Sequence, residues 1–291
     1  MVDQRTESFS RWSSSRLEET CLNLIQVFFS KWRSPPPNKR VGSSGRSSGE
    51  SYRRRKYDYE GSIVTNADLA AEKLILSEIR KSDVKGSVMS EEAGRVRFGL
   101  GNVTWAVDPL DGTLNFAKRI PHFAVSIGVR VGARTVAGAI YNPMLEEMFT
   151  ARRGGGAFLN GRSIKVSNAS ALRTSAFIFE WWEPEPSIPD PLGLEKKLYR
   201  YTRSLRSPGS IALNLCSVAS GRFDGMITVF LRSPIHETLA GSLIVEEAGG
   251  RITNSLGQSW ETLSRSIIAG GPAIHRRLMS FLDDRRRKQS G

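Results

Sequence analysis

Short apolar runs separated by turn residues are the feature that most constrains the fold of this chain. The runs at residues 103–107, 123–131, 135–142 and 147–151 have the length and composition of strands. Beyond residue 150 the pattern alternates, with predicted helices at 211–219 and 237–248 and predicted strands at 225–229 and 251–253. Because such alternation buries helix faces against sheet faces, it predicts an α+β or α/β layered sandwich.

The N-terminal part follows a helical rhythm instead. Apolar residues recur at helical spacing from Leu17 to Trp32, and three prolines at 35–37 end this predicted helix. Residues 34–56 are rich in Ser, Gly, Pro and Arg and are predicted to form a mobile loop. A second helix is predicted after Thr65, with an apolar face made by Leu69, Ala71, Leu74, Ile75 and Ile79.

These patterns divide the chain into four regions. Residues 1–60 hold the first helix and a basic loop, 61–150 an α+β half, 151–285 an α/β half, and 286–291 a basic tail. The formal net charge is +13, and it is concentrated at the ends, since residues 1–60 carry +5 and residues 276–291 carry +4. Solvated, mobile termini are the favoured interpretation, and non-specific contact with polyanions is the alternative.

Several protein classes are excluded by composition. No apolar run approaches the roughly 20 residues that span a bilayer, and no secretory signal is evident, so we expect a cytoplasmic protein without membrane contact. Cys21 and Cys216 are the only cysteines, which excludes a disulfide scaffold, and they lie too far apart in sequence for a metal knuckle.

The chemistry is predicted to lie at strand and helix ends that carry carboxylates. Asp108 and Asp111 follow a buried strand in a segment that we predict to be a turn, stiffened by Pro109 and tightened by Gly112. Two converging carboxylates repel unless a cation lies between them, and oxygen ligands suit Mg²⁺ or Mn²⁺. Thr113 is predicted to begin a helical turn whose N–H groups could hold a phosphate. The alternative is an ordinary acidic surface turn.

Three further carboxylates stand in comparable places. Glu91 follows a short apolar stretch, whereas Asp68 and Glu237 lie at predicted helix starts. Taken singly, Glu91 could belong to a solvated loop, and each of the other two could be a helix cap.

Together these segments resemble the signatures of the inositol monophosphatase family of metal-dependent, lithium-sensitive sugar phosphatases. The resemblance covers residues 16–285 and is carried by segments 64–68, 90–92, 105–116, 156–161, 209–222 and 243–250. It implies the family's fold, a homodimer and hydrolysis of a small sugar or polyol phosphate by an activated water.

The resemblance also implies a role for each matching residue. Mg²⁺, or Mn²⁺ in its place, would be held by Glu91, Asp108, Asp111, the carbonyl of Leu110, and Glu237. Asp68 and Thr113 would orient and deprotonate the water, and Asp111 with the N–H groups of Gly112 and Thr113 would contact the phosphate. The histidines His122, His236 and His275 are interpreted as structural.

Some positions depart from the family pattern. His236-Glu237 stands where Trp-Asp is usual, Thr228 stands near the position of a substrate-contacting glutamate, and Ile211 replaces a small residue. The segment between Arg222 and Glu237 is also longer than in the animal enzymes and resembles the archaeal branch, which acts on inositol monophosphate and fructose 1,6-bisphosphate.

The predicted function is therefore Mg²⁺-dependent hydrolysis of inositol 1-phosphate. A fructose-1,6-bisphosphatase or a dual-specificity enzyme is the alternative within the same class. From a different class, the alternative is a catalytically weak, basic polyanion-binding protein that uses the basic runs at 53–56 and 285–288.

Overall fold

The computed structural model describes residues 14–31, 66–99, 101–230, 235–261 and 265–289. The fold consists of two β-sheets and three layers of helices. The helices are α1 (Ser14–Lys31), α2 (Asn66–Lys81), α3 (Thr113–Ala117), α4 (Pro191–Tyr201), α5 (Ile211–Ala219), α6 (Ile235–Glu247) and α7 (Pro272–Gln289). None of them, within these ranges, is long and apolar enough to cross a membrane. The layered α+β sandwich predicted from the sequence is confirmed.

The first sheet is built from eight strands in the order β2-β1-β3-β4-β5-β6-β7-β8. They are β1 (Gly86–Ser90), β2 (Gly94–Phe98), β3 (Val103–Asp111), β4 (Ala124–Val131), β5 (Arg134–Asn142), β6 (Glu147–Arg152), β7 (Gly156–Leu159) and β8 (Arg162–Ser163). Neighbouring strands are antiparallel except β1 and β3, which run parallel.

The second sheet has five strands in the order β10-β9-β11-β13-β12. They are β9 (Ala176–Trp181), β10 (Ser204–Arg206), β11 (Gly225–Val229), β12 (Arg251–Thr253) and β13 (Ser266–Gly270). Strands β10, β9 and β11 are parallel, and β13 is antiparallel to both of its neighbours.

Three apolar cores hold these layers together. Helices α1 and α2 cover the outer face of the first sheet, α5 and α6 lie between the sheets, and α4 and α7 cover the outer face of the second sheet. Because successive side chains of a strand point to opposite faces of the sheet, β3 contributes to two cores. Trp105 and Val107 pack towards α1 and α2, whereas Ala106 packs towards α5 and α6.

Two facing glycines allow α6 to lie directly on the first sheet. Gly128 of β4 and Gly138 of β5 are register partners. A Cβ atom at Gly138 would lie 2.8 Å from Ala240 Cα, and one at Gly128 would lie 2.8 Å from Leu239 Cδ2. Because Glu237 is in the first turn of α6, this close approach also fixes where its carboxylate lies.

Most local predictions agree with the structure. Helices α1, α2, α5 and α6 lie where the apolar spacing placed them, and so do strands β3 to β6, β11 and β12. Trp32 and the predicted loop at 34–56 lie outside the described residues. Leu69 was wrongly assigned to the buried face of α2, because it is 43% exposed and Asp68 is buried beside it.

The C-terminal segment shows an element that was not predicted. Helix α7 extends to Gln289, so the backbone of the basic run at 285–288 lies within a helix rather than in an unstructured end. Ile274, Leu278 and Leu282 anchor this helix in the third core. The many charged residues of the segment make this apolar spacing difficult to recognise in the sequence.

We expect Gly138→Ala to lower the free energy of unfolding by about 1–3 kcal/mol, because the added methyl group overpacks the contact with Ala240. Urea unfolding measures this change. Arg134→Ala, at the exposed end of the same strand, is the control and should change stability by less than about 0.5 kcal/mol. Equal stability of Gly138→Ala and the unmodified protein would contradict the tight packing of α6.

Candidate active site

Neighbouring parallel strands bring the first two acidic segments together. Ser90, the last residue of β1, pairs with Val107 of β3, so Glu91 and Asp108 are the next residues along adjacent strands. Asp108 is 1% exposed. The two carboxylate-bearing residues predicted as metal ligands therefore leave the same end of the sheet, although they are distant in sequence.

The predicted turn at Asp108–Asp111 is wrong, because β3 continues through it with a bulge. Asp108 pairs with Ser126 and Asp111 with Ala124, so three steps along β3 match two along β4. Pro109 has no N–H to donate to the sheet, which explains why the ladder breaks there. Leu110 N instead donates to Asp108 Oδ1 at 2.9 Å. The bulge thus holds the Asp108 carboxylate against its own backbone.

The side chains of Thr113 and Asp68 are in contact. The Thr113 hydroxyl lies 3.1 Å from Asp68 Oδ1 and 3.1 Å from the carbonyl oxygen of Leu110, and it has one proton to donate. Asp68 lies in the first turn of α2, and Thr113 begins α3 after Gly112, whose φ of 91° is readily adopted only by glycine.

Asp111 is bound by the start of α5, which no residue pattern had indicated. Its carboxylate accepts hydrogen bonds from Ser210 Oγ, from Ile211 N at 3.2 Å and from Ala212 N at 2.8 Å. Burial raises the pKa of Asp111 and the charge of Glu237 raises it further, whereas the Ser210 and Ala212 hydrogen bonds lower it. The segment at 209–222 had been matched to the family without a role for Ser210.

The third group consists of Glu91, His236 and Glu237, which we call the acid–histidine cluster. His236 Nε2 lies 3.7 Å from Glu91 Oε1 and 3.5 Å from Glu237 Oε1. Burial lowers the pKa of His236, but the two carboxylates outweigh that cost and raise it to about 9. The structure thus places His236, which the sequence analysis interprets as structural, between two acids of the predicted cation site.

Glu72 supports the loop that carries Glu91. It accepts hydrogen bonds from Ser90 Oγ, from Glu92 N at 3.1 Å and from Ala93 N at 2.9 Å. Sequence reasoning missed this residue, although a signal existed. Glu72 lies four residues after Asp68 in α2, which places both acids on one helix face.

A second acid that the sequence analysis did not identify contacts the segment just before α5. Glu180, at the end of β9, is 4% exposed and accepts a hydrogen bond from Gly209 N at 2.6 Å. Its neighbour in the parallel ladder is Thr228, which lies near the predicted position of the family's substrate-contacting glutamate. Burial raises the pKa of Glu180. The second sheet therefore supplies a carboxylate here from a different strand.

The donor set fits a hard divalent cation. Asp108 and Asp111 are buried carboxylates, and Asp111 is close enough to Glu237 and Glu91 for both charges to affect it. Buried like charges are costly unless a cation compensates them, and carboxylate and carbonyl oxygens are the ligands that Mg²⁺ and Mn²⁺ accept. Cys21 and Cys216 are both buried and form no disulfide.

The chain is similar in sequence and in structure to proteins of one family. The model of the "Inositol monophosphatase family" matches residues 36–287. The Nus factor SuhB of Escherichia coli is 39% identical over 226 residues, which cover 76% of this chain and 83% of the relative. Inositol monophosphatase 2 of Solanum lycopersicum is 37% identical over 226 residues, covering 75% and 85%. The solved IMPase of Thermotoga maritima aligns with a TM-score of 0.73 and 26% identity, covering 93% of this chain and 96% of its own.

We expect Ser210→Ala to lower the free energy of unfolding by about 2 kcal/mol. The variant removes a donor to the buried Asp111 carboxylate and also the side-chain cap of α5. Ser220→Ala is the matched control, because that hydroxyl donates to carbonyls of its own helix at the other end. Denaturant unfolding of both variants tests the expectation, and equal losses would contradict a special role for Ser210.

Proposed function

The chain belongs to the inositol monophosphatase family, as its motifs predicted, and we propose that it hydrolyses inositol 1-phosphate with the help of Mg²⁺, for which Mn²⁺ can substitute. The observation that carries the proposal is the meeting of the Asp68–Thr113 pair with the bulge that bears Asp108 and Asp111. This arrangement places an acceptor for a water proton next to a set of cation ligands. We further propose that the protein is a cytoplasmic homodimer.

The cation ligands in this proposal are Glu91, Asp108, Asp111, Glu237 and the Leu110 carbonyl. When bound there, Mg²⁺ would neutralise the phosphate oxygens and lower the pKa of a coordinated water. The chain's own contribution is to hold the ligands in place before substrate arrives. The bulge holds Asp108, α5 holds Asp111, and Glu72 holds the loop of Glu91.

Thr113 and Asp68 provide the path for the proton. When the Thr113 hydroxyl donates to Asp68 Oδ1, its oxygen presents a lone pair that accepts a hydrogen bond from a water. That water oxygen is thereby oriented for attack, and its proton can pass through Thr113 Oγ1 to Asp68. Backbone N–H groups of Gly112 and Thr113 hold the phosphate in this proposal, and the phosphate then lies beside the water.

Fructose 1,6-bisphosphate is the alternative substrate. The longer segment between Arg222 and Glu237 is the departure that favours testing it, because it resembles the archaeal branch, which acts on both substrates. Phosphate release from inositol 1-phosphate and from fructose 1,6-bisphosphate, measured side by side, decides between them. Release from neither substrate, combined with salt-dependent retention on a polyanion column, would favour the polyanion-binding alternative.

Removal of the metal should abolish phosphate release. A chelator should stop activity, Mg²⁺ or Mn²⁺ should restore it, and Li⁺ should lower it. Asp108→Asn should lose nearly all turnover with an unchanged circular dichroism spectrum, because it removes a charge from the ligand set. Glu19→Gln, at an exposed position on α1, is the control. Substantial turnover by Asp108→Asn would refute the metal assignment.

Loss of the Thr113 hydroxyl should affect turnover more than binding. We expect Thr113→Ala to lower kcat by roughly 10²–10⁴, the usual scale of general acid–base catalysis, with little change in KM. Thr113→Ser keeps a hydroxyl and should retain most of the activity. A raised KM with an intact kcat would instead indicate that Thr113 only binds substrate.

A further inference from the structure

We infer that His236 is itself a metal ligand, which shares one divalent cation with Glu91 and Glu237 and makes this site prefer Mn²⁺ to Mg²⁺. The inference rests on the proposed function only in assuming that a divalent cation binds here. It adds a nitrogen donor to a site whose other predicted ligands are all oxygens. It also assigns a purpose to the His-Glu pair at 236–237.

The acid–histidine cluster brings three potential metal ligands close enough to share one cation. The separations of 3.5 Å and 3.7 Å between Nε2 and the two carboxylate oxygens exceed the usual 2.7–3.2 Å of N–H···O bonds. Adjacent donors about 2.0–2.2 Å from one octahedral cation lie about 2.8–3.1 Å apart, and opposite donors lie about 4.0–4.4 Å apart, so the observed separations fall within the range that one cation spans. The three donor atoms all lie within 4.8 Å of one another.

Burial supports the same assignment. The side chains of Glu91, His236 and Glu237 are 6%, 16% and 17% exposed, so water reaches them little. His236 Nε2 is buried and ion-paired with both carboxylates, but it makes no hydrogen bond of normal geometry to a described residue. A bound cation would offset the repulsion between the two largely buried carboxylates.

The donor types determine which cation gains most. Mg²⁺ prefers oxygen ligands and gives up its coordinated water reluctantly. Mn²⁺ also accepts oxygen ligands, but as a first-row transition metal it gains more than Mg²⁺ from an imidazole nitrogen. Replacing one oxygen ligand by Nε2 therefore costs Mg²⁺ more than Mn²⁺. The carboxylates of Glu91 and Glu237 keep the site acceptable to both ions, so the expected result is a shifted preference rather than exclusion.

The first test is calorimetric titration of the metal-free full chain with Mn²⁺ alone and with Mg²⁺ alone. His236→Phe should weaken Mn²⁺ binding by about 10–100-fold and Mg²⁺ binding by less than about threefold. His275→Gln is the matched control, because His275 is a buried histidine of α7 whose ring is hydrogen-bonded to the Thr253 hydroxyl of β12. Equal weakening of both ions would overturn the inference, and so would tighter Mn²⁺ binding, which would show that the ring occupies the place of a cation.

The second test does not depend on the folding of a variant. Pulsed electron paramagnetic resonance of the Mn²⁺-loaded chain should show coupling to a directly bound ¹⁴N nucleus, and His275→Gln should keep that coupling. Its absence from the unmodified protein would overturn the inference. Phosphate release is measured separately, so ¹⁴N coupling without phosphatase activity would refute the proposed function and leave His236 as a ligand.

Discussion

The hydrogen bonds between Asp111 and the start of α5 are the interaction on which the rest of the site depends. Asp111 belongs to the first sheet, and α5 lies in the helix layer between the sheets. A buried carboxylate is tolerated only where donors or cations surround it, and α5 supplies three donors at once. The same contact therefore stabilises a buried negative charge and joins the two halves of the fold beside the candidate active site.

The second constraint is the close contact of α6 with the first sheet. Without side chains at Gly128 and Gly138, the helix packs directly on the backbone of β4 and β5. This places the first turn of α6, with His236 and Glu237, opposite the loop of Glu91. The acid–histidine cluster is thus a consequence of tight core packing as much as of the charged residues themselves.

Strand and helix positions were largely predictable, and the reasons are local. Short apolar runs predicted β3 to β6, β11 and β12, and helical patterns predicted α1, α2, α5 and α6, because each pattern reports which residues of one element are buried. Helix α7 was not predicted, because charged residues dominate its sequence. The segment around Pro109 was predicted as a turn because a bulge inside a strand depends on the pairing of its neighbour.

By itself, the sequence determined the elements, the layered class of the fold, the family resemblance and the set of acids expected to act together. Only the tertiary structure decided which groups support them. Ser210 reaches Asp111 across 99 residues of chain, Glu72 holds the loop of Glu91, and Glu180 lies beside Thr228. His236 acquires its place between two carboxylates in the same way. Local patterns report burial and backbone preference, whereas these contacts depend on how sheets and helices pack across long sequence separations.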